Sequence, residues 1–196
     1  MDVLEVLWLT VVAYLVGSVP SAYLIARKVR RVDIRTIGNY NMGAANVFRK
    51  VHPAAGIAAA LLDGAKGFGP VLLARWLDVN NAGLAVVGLG AIAGHMFPVF
   101  LGFRGGLGLA TTVGVTLALL PLPALVGIAV FLALLPITRN VGWTSLVLFG
   151  LTLLLAALLD EEWSRVGAAS AAPLASFLRT QVGIRSLDVR WPQEQS

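Results

Sequence analysis

Residues with chemistry to offer gather in two short polar segments. The first, 33–49, reads DIRTIGNYNMGAANVFR and holds Gly38, Asn39, Asn41, Gly43, Asn46 and Arg49. Each Asn side chain supplies one acceptor and two donors. Glycines let a backbone come close to a ligand. The stretch GAANVFR has the pattern of a helix start, which puts Arg49 about one turn along that helix. Amides, glycines and an arginine together suit a polar, anionic ligand. An Asn-rich turn that caps the helix is the competing reading. Capping accounts for one Asn but not for three.

The second segment, FRGGLGLATTVG at 103–114, sets Gly105, Gly106 and Gly108 directly before an apolar stretch that begins at Leu109. Consecutive N–H groups at such a turn can converge, and a helix start adds partial positive charge. Arg104 can add a charge-assisted hydrogen bond. The pattern predicts a phosphate cradle; a tight turn with glycines for close helix packing is the alternative.

Three further ionisable residues lie in apolar surroundings. Asp63 and Lys66 are three positions apart, share a helix face and are expected to pair as a structural ion pair that orients the site. His95, in GHMFP, is either a base or a packed structural residue. His52, beside Pro53, receives no role. The chain has no cysteine, HExxH or GxSxG and no usefully spaced carboxylate pair. Thiolate, zinc-hydrolase and serine-hydrolase chemistry are therefore unsupported, and neither metal nor cofactor is expected.

The elements that must position these residues are membrane helices. Of 196 residues, 58% are hydrophobic and only 13% charged, too few charges to cover a soluble domain. The reading is an all-α, polytopic transmembrane helical bundle of six to seven spans. Apolar segments run over 3–26, 55–77, 82–103, 109–120, 122–138 and 142–159. A span takes ~20 residues. The first segment is read as one retained helix, because acidic Asp2 and Glu5 stand where a signal peptide has lysines. Pro121 and Pro123 divide 109–138 into two short helices. The Ala/Ser-rich 166–178 is read as interfacial or loose, and 179–196 as a flexible terminus. Residues 1–165 are taken as one membrane domain, followed by a C-terminal segment, 166–196.

Lys and Arg counts set the orientation. Arg27, Lys28, Arg30, Arg31, Arg35, Arg49 and Lys50 precede the second segment, and Arg104 and Arg139 fall in alternate loops on the same side. That side is expected to be cytoplasmic, with the N-terminus outside. The basic run also suits anionic membrane lipids. Nucleic acid is not an expected partner, since the charges lie in short loops between apolar runs.

Several motifs in series resemble one family. GSVPSAYLIA (17–26), DIRTIGNYNMGAANVFR (33–49), LLDGAKG (61–67), GHMFPVFLGFRGGLGLAT (94–111) and TRNVGWTS (138–145) follow the order and spacing of the acyl-phosphate:glycerol-3-phosphate acyltransferases, the PlsY-like family. The resemblance implies a bacterial inner-membrane enzyme that moves an acyl group from acyl phosphate to glycerol 3-phosphate. Its product would be lysophosphatidic acid, a phospholipid precursor. On this resemblance Arg49 and Asn41 are the expected catalytic residues. Gly38, Asn39, Gly43, Asn46, Arg104, Gly105, Gly106, Gly108 and Ser145 are expected to bind substrate phosphate, with Asp63, Lys66, His95 and Arg139 in support. The chain departs from the family pattern at Asn39 and Tyr40 (Ser-Gly), Ala45 (Thr), Leu107 (Lys) and Gly142 (Ser). It also lacks an HRxNI-like final motif. A non-catalytic relative that binds lipid phosphates or partners lipid enzymes is thus the alternative. Oligomeric state and acyl-chain preference are not legible.

Overall fold

The computed structural model describes residues 2–159, 161, 164–167, 169, 170 and 173. Among these it has eight α-helices: α1 Val3–Gly17, α2 Ser21–Arg30, α3 Ala44–Lys50, α4 Pro53–Trp76, α5 Asn81–Met96, α6 Leu109–Leu119, α7 Pro121–Thr138 and α8 Val141–Leu158. Short 3₁₀ turns lie at Ile34–Thr36 and Val99–Leu101. The tail 179–196 and most of 166–178 fall outside the described residues.

Five segments are long and apolar enough to cross a membrane: Val3–Arg30, Pro53–Trp76, Asn81–Leu101, Pro121–Thr138 and Val141–Leu158. Helix α6 is apolar but has 11 residues, a length of only ~16 Å. The all-α membrane bundle read from the sequence therefore stands. The division of 109–138 also stands: α6 ends before Pro121, which opens α7 at a position where its missing N–H costs nothing.

The first apolar run departs from expectation. It is not one continuous helix but breaks between Gly17 and Ser21. Pro20 has no N–H to donate and disfavours helical backbone at Val19. Hydropathy runs unbroken through this point and hides the break.

Local caps fix several helix starts. The Asn80 side chain accepts from Gly83 N–H at 2.8 Å, and that of Asn140 from Trp143 N–H at 3.1 Å. His52 caps α4, its Nδ1 accepting from Ala54 N–H at 3.2 Å, with Pro53 as the first helical residue.

Large apolar side chains point outward, as a lipid-facing surface requires: Trp76 is 80% exposed and Ile137 77%. The interior mixes large apolar side chains such as Ile92, Leu119 and Leu148 with small and hydroxylated residues, including Ala13, Ala59, Ala91, Thr111, Thr116 and Thr152. Small residues let membrane helices approach closely. A Cβ on Gly67 would overlap the Thr111 carbonyl, and one on Gly114 the Gly64 carbonyl, so α4 and α6 touch backbone to backbone. This contact sets the depth of the site. Helix α6 starts beside Gly64–Gly67, ~17–21 Å along α4. The glycine segment before α6 is accordingly sunk within the bundle.

Candidate functional site

The 31–52 loop is a small folded unit. Its floor is an apolar cluster of Ala22, Ala26, Ile34, Met42, Val47, Val51, Ala55 and Ala59, joining α2, α3 and α4. At its rim the Asp33 carboxylate grips Arg35 through Nε at 3.0 Å and Nη2 at 2.8 Å. That side-chain hydrogen bonding holds the Asp33 carboxyl below the usual carboxylate range. The Arg35 guanidinium also lies 5.1 Å from the centre of the Tyr23 ring.

The three Asn residues have different fates. Asn46 is buried, and its Nδ2 reaches the carbonyls of Ile34 (3.1 Å), Ile37 (3.0 Å) and Asn41 (3.0 Å). Its Oδ1 accepts from Asn39 N–H at 3.3 Å. The Asn46 amide is thus committed to holding the loop together, which leaves it nothing for a phosphate. It does not cap α3 either; Gly43 occupies the cap position. The Asn39 Oδ1 accepts from Asn41 N–H at 3.3 Å. The Asn41 carboxamide is half-buried and makes no hydrogen bond to another described residue. Arg49, exposed on α3, forms no ion pair among the described residues. Asn41 and Arg49 are thus among the loop's polar groups that no described hydrogen bond or ion pair occupies.

The glycine segment is arranged differently from a cradle of consecutive N–H groups. Gly105 N–H donates to the Met96 carbonyl at 3.1 Å and Gly106 N–H to the His95 carbonyl at 3.2 Å. These two donors dock the loop onto the end of α5 and are not offered to an anion. Both glycines are needed for proximity. A Cβ on Gly105 would overlap the His95 carbonyl, and one on Gly106 the His95 Nε2. Gly108 has φ +81°, a left-handed backbone that favours glycine, and ends the loop at the cap of α6. Among the donors that remain are the first-turn N–H groups of α6, at Leu109, Ala110 and Thr111, which have no carbonyl within the helix to bond. Exposed Arg104 stands at the mouth of this segment.

The two loops meet. A Cβ on Gly106 would lie 3.1 Å from the Met42 carbonyl, which places the asparagine loop against the glycine loop. Beneath them is a buried charge cluster. Lys66 Nζ lies 2.9 Å from Asp63 Oδ1 and donates to the Val19 carbonyl at 2.9 Å. His95 Nδ1 is 3.7 Å from the same Asp63 oxygen. The expected Asp63–Lys66 pair is present, and His95 belongs with it. Arg139 and Ser145 lie at the α7–α8 corner. Arg139 is exposed at φ +51°, and Ser145 Oγ donates to the Val141 carbonyl at 2.7 Å. No described hydrogen bond links that corner to the loops.

Two long polar loops set against one another at one end of a membrane bundle narrow the possibilities. A model of the family described as glycerol-3-phosphate acyltransferase matches residues 7–187. The chain belongs to this family. A glycerol-3-phosphate acyltransferase of Geobacter sulfurreducens is 39% identical over 184 residues, 94% of each chain. One of Desulforudis audaxviator is 41% identical over 166 residues, 85% of this chain and 83% of the relative. Among solved structures, the fold is similar to PlsY (YgiH), an integral membrane glycerol 3-phosphate acyltransferase. Its glycerol 3-phosphate form superposes with a TM-score of 0.82 at 33% identity, covering 93% of this chain and 92% of that one. The lysophosphatidic acid form gives 0.81 at 32% identity.

Within this acyltransferase fold, sequence reasoning missed three contributors. The Val19 carbonyl is one, and the only sequence signal for it is Pro20. The Met42 carbonyl is another, hidden because backbone contacts leave no mark on side-chain type. His52, as cap of α4, is the third; a His directly before a helix-opening proline was the available sign.

Proposed function

We propose that the chain transfers an acyl group from acyl phosphate to the 1-hydroxyl of glycerol 3-phosphate, giving lysophosphatidic acid in the inner membrane of a bacterium. The observation that carries this reading is the contact of the asparagine loop with the glycine loop at Met42 and Gly106. Two substrates that each bear a phosphate need two anion-binding elements side by side. Asn41 and Arg49 serve one phosphate. The start of α6, with Arg104, serves the other. The basic residues around these loops favour a cytoplasmic site, with the N-terminus outside.

Holding both substrates converts a bimolecular encounter into a unimolecular step. The glycerol hydroxyl oxygen attacks the acyl carbonyl carbon, and the carbon–oxygen bond to phosphate breaks. The departing phosphate takes the hydroxyl proton, so no side-chain base is required. N–H donors and guanidinium groups stabilise the charge that grows on the carbonyl oxygen.

The test is an assay of purified protein, following lysophosphatidic acid formation and phosphate release with both substrates present. Turnover that requires glycerol 3-phosphate supports the proposal. Binding of both substrates without turnover supports the second reading, a non-catalytic relative that holds lipid phosphates. That reading draws on Leu107, an apolar side chain in the glycine loop where the resemblance expects a lysine.

A further inference from the structure

Asp63, Lys66 and His95 are all at least nine-tenths buried. A buried ion pair is no cheap source of stability, since desolvation offsets much of its attraction. What distinguishes this one is the number of elements it joins. Lys66 and Asp63 belong to α4. The Val19 carbonyl, at the break before Pro20, accepts from both Ser21 N–H at 3.0 Å and Lys66 Nζ at 2.9 Å. His95, in the last turn of α5, faces Asp63 with Nδ1 at 3.7 Å. The opposite ring nitrogen, Nε2, fills the space beside Gly106 that a Cβ would need. The His95 carbonyl also accepts from Gly106 N–H at 3.2 Å. Residue 95 therefore holds the glycine loop by both side chain and backbone.

The other branch reaches the asparagine loop. Val19 precedes α2, and Ala22 and Ala26 of α2 pack with Ile34, Met42 and Val47 under that loop. Moving the Val19 carbonyl tilts α2 and displaces the loop floor. We propose that Lys66 is a positioning residue that sets both phosphate-binding loops, through Val19 and α2 on one side and through Asp63, His95 and Gly106 on the other. The proposal rests on the acyltransferase reading for the ligands of those loops, but the linkage itself can be measured without turnover.

The test is hydrogen exchange on the full-length protein in detergent, paired with glycerol 3-phosphate kinetics. Lys66→Met is expected to speed exchange of the Gly105 and Gly106 amides, and of 36–43, at least tenfold. Exchange in α7 and α8 stays unchanged. KM for glycerol 3-phosphate rises about tenfold, more than kcat falls, and Lys66→Arg recovers most of both effects. Unchanged loop exchange in a folded Lys66→Met variant overturns the proposal, as does an increase spread evenly over every helix. If Lys66→Met does not fold, Asp63→Asn and His95→Ala replace it, each breaking the branch that runs from Lys66 to Gly106. Both are expected to speed exchange of the Gly105 and Gly106 amides, and His95→Ala to leave 36–43 unchanged because the Lys66 contact with the Val19 carbonyl remains. Unchanged Gly105 and Gly106 exchange in folded forms of both variants overturns the proposal. An inactive parent protein whose exchange follows the expected pattern would count against the acyltransferase reading only.

Discussion

The Asn46 carboxamide oxygen occupies the space that a Cβ on Gly38 would need, and Gly38 has φ +65°. Backbone and side chain here require each other. Gly38 turns the chain so that Asn46 can reach three carbonyls from beneath the loop. Asn46→Ala is expected to lower stability by about 3 kcal/mol, since buried carbonyls lose their donors. Gly38→Ala is expected to cost at least ~1–2 kcal/mol for the left-handed backbone alone, with the overlap added. Thermal unfolding in detergent measures both. Loss of activity should follow the loss of stability, because both residues hold the loop in shape.

Arg49 and Arg104 predict the opposite behaviour. Both are exposed and make no ion pair among the described residues. Replacing either with Gln should leave the unfolding temperature unchanged within about a degree. A charge-assisted hydrogen bond to phosphate contributes ~1.5–3 kcal/mol. Each variant should therefore raise KM for the substrate it serves about ten- to hundredfold. Kinetics with each substrate varied in turn assign the two arginines, and a KM unchanged for both substrates would remove that arginine from the site.

How much of this was legible depends on what kind of contact was involved. The Pro121 break, the polar loops and the pairing of Asp63 with Lys66 follow from residue type and spacing, so the sequence carried them. The fates of the Asn residues did not follow, since Asn41 and Asn46 are the same residue type five positions apart. Only the packing of α3 puts one beneath the loop and leaves the other at its edge. The glycine segment misled for a related reason. Glycines mark both an anion cradle and a close backbone contact, and only the docking of Gly105 and Gly106 on α5 separates the two. The break at Pro20 was concealed because apolar residues continue on both sides of it.

Acid should act on the asparagine loop through Asp33. Hydrogen bonding to Arg35 holds its folded-state pKa below the ordinary carboxylate value. A carboxyl with a depressed folded pKa contributes stability above its unfolded pKa. That contribution is lost as pH falls through the folded value. The side chains are 25% and 32% exposed for Asp33 and Arg35, so the effect is at most ~0.5 kcal/mol. Asp33→Asn should flatten the stability profile below about pH 4 without altering it near neutrality. Unfolding followed from pH 3 to 7 would reveal this, and an identical acid slope in the variant would exclude Asp33 as its source.

Leu107 offers the sharpest test of competence. It lies half-buried in the glycine loop, directly before the Gly108 cap of α6. A lysine there would add a cation close to the α6 donors, where Arg104 is the cation already at hand. If the chain is a working acyltransferase that tolerates a thinner phosphate site, Leu107→Lys should lower KM for one phosphate substrate about five- to tenfold, as one added charge-assisted contact of ~1–1.5 kcal/mol would. Any change in kcat should be smaller. If the chain binds lipid phosphates without turning them over, the same substitution should tighten binding and produce no activity. Calorimetric titration with glycerol 3-phosphate beside the turnover assay separates these outcomes. Unchanged binding and unchanged activity would mean that residue 107 does not face the ligand, and the role given to the start of α6 would then fall with it.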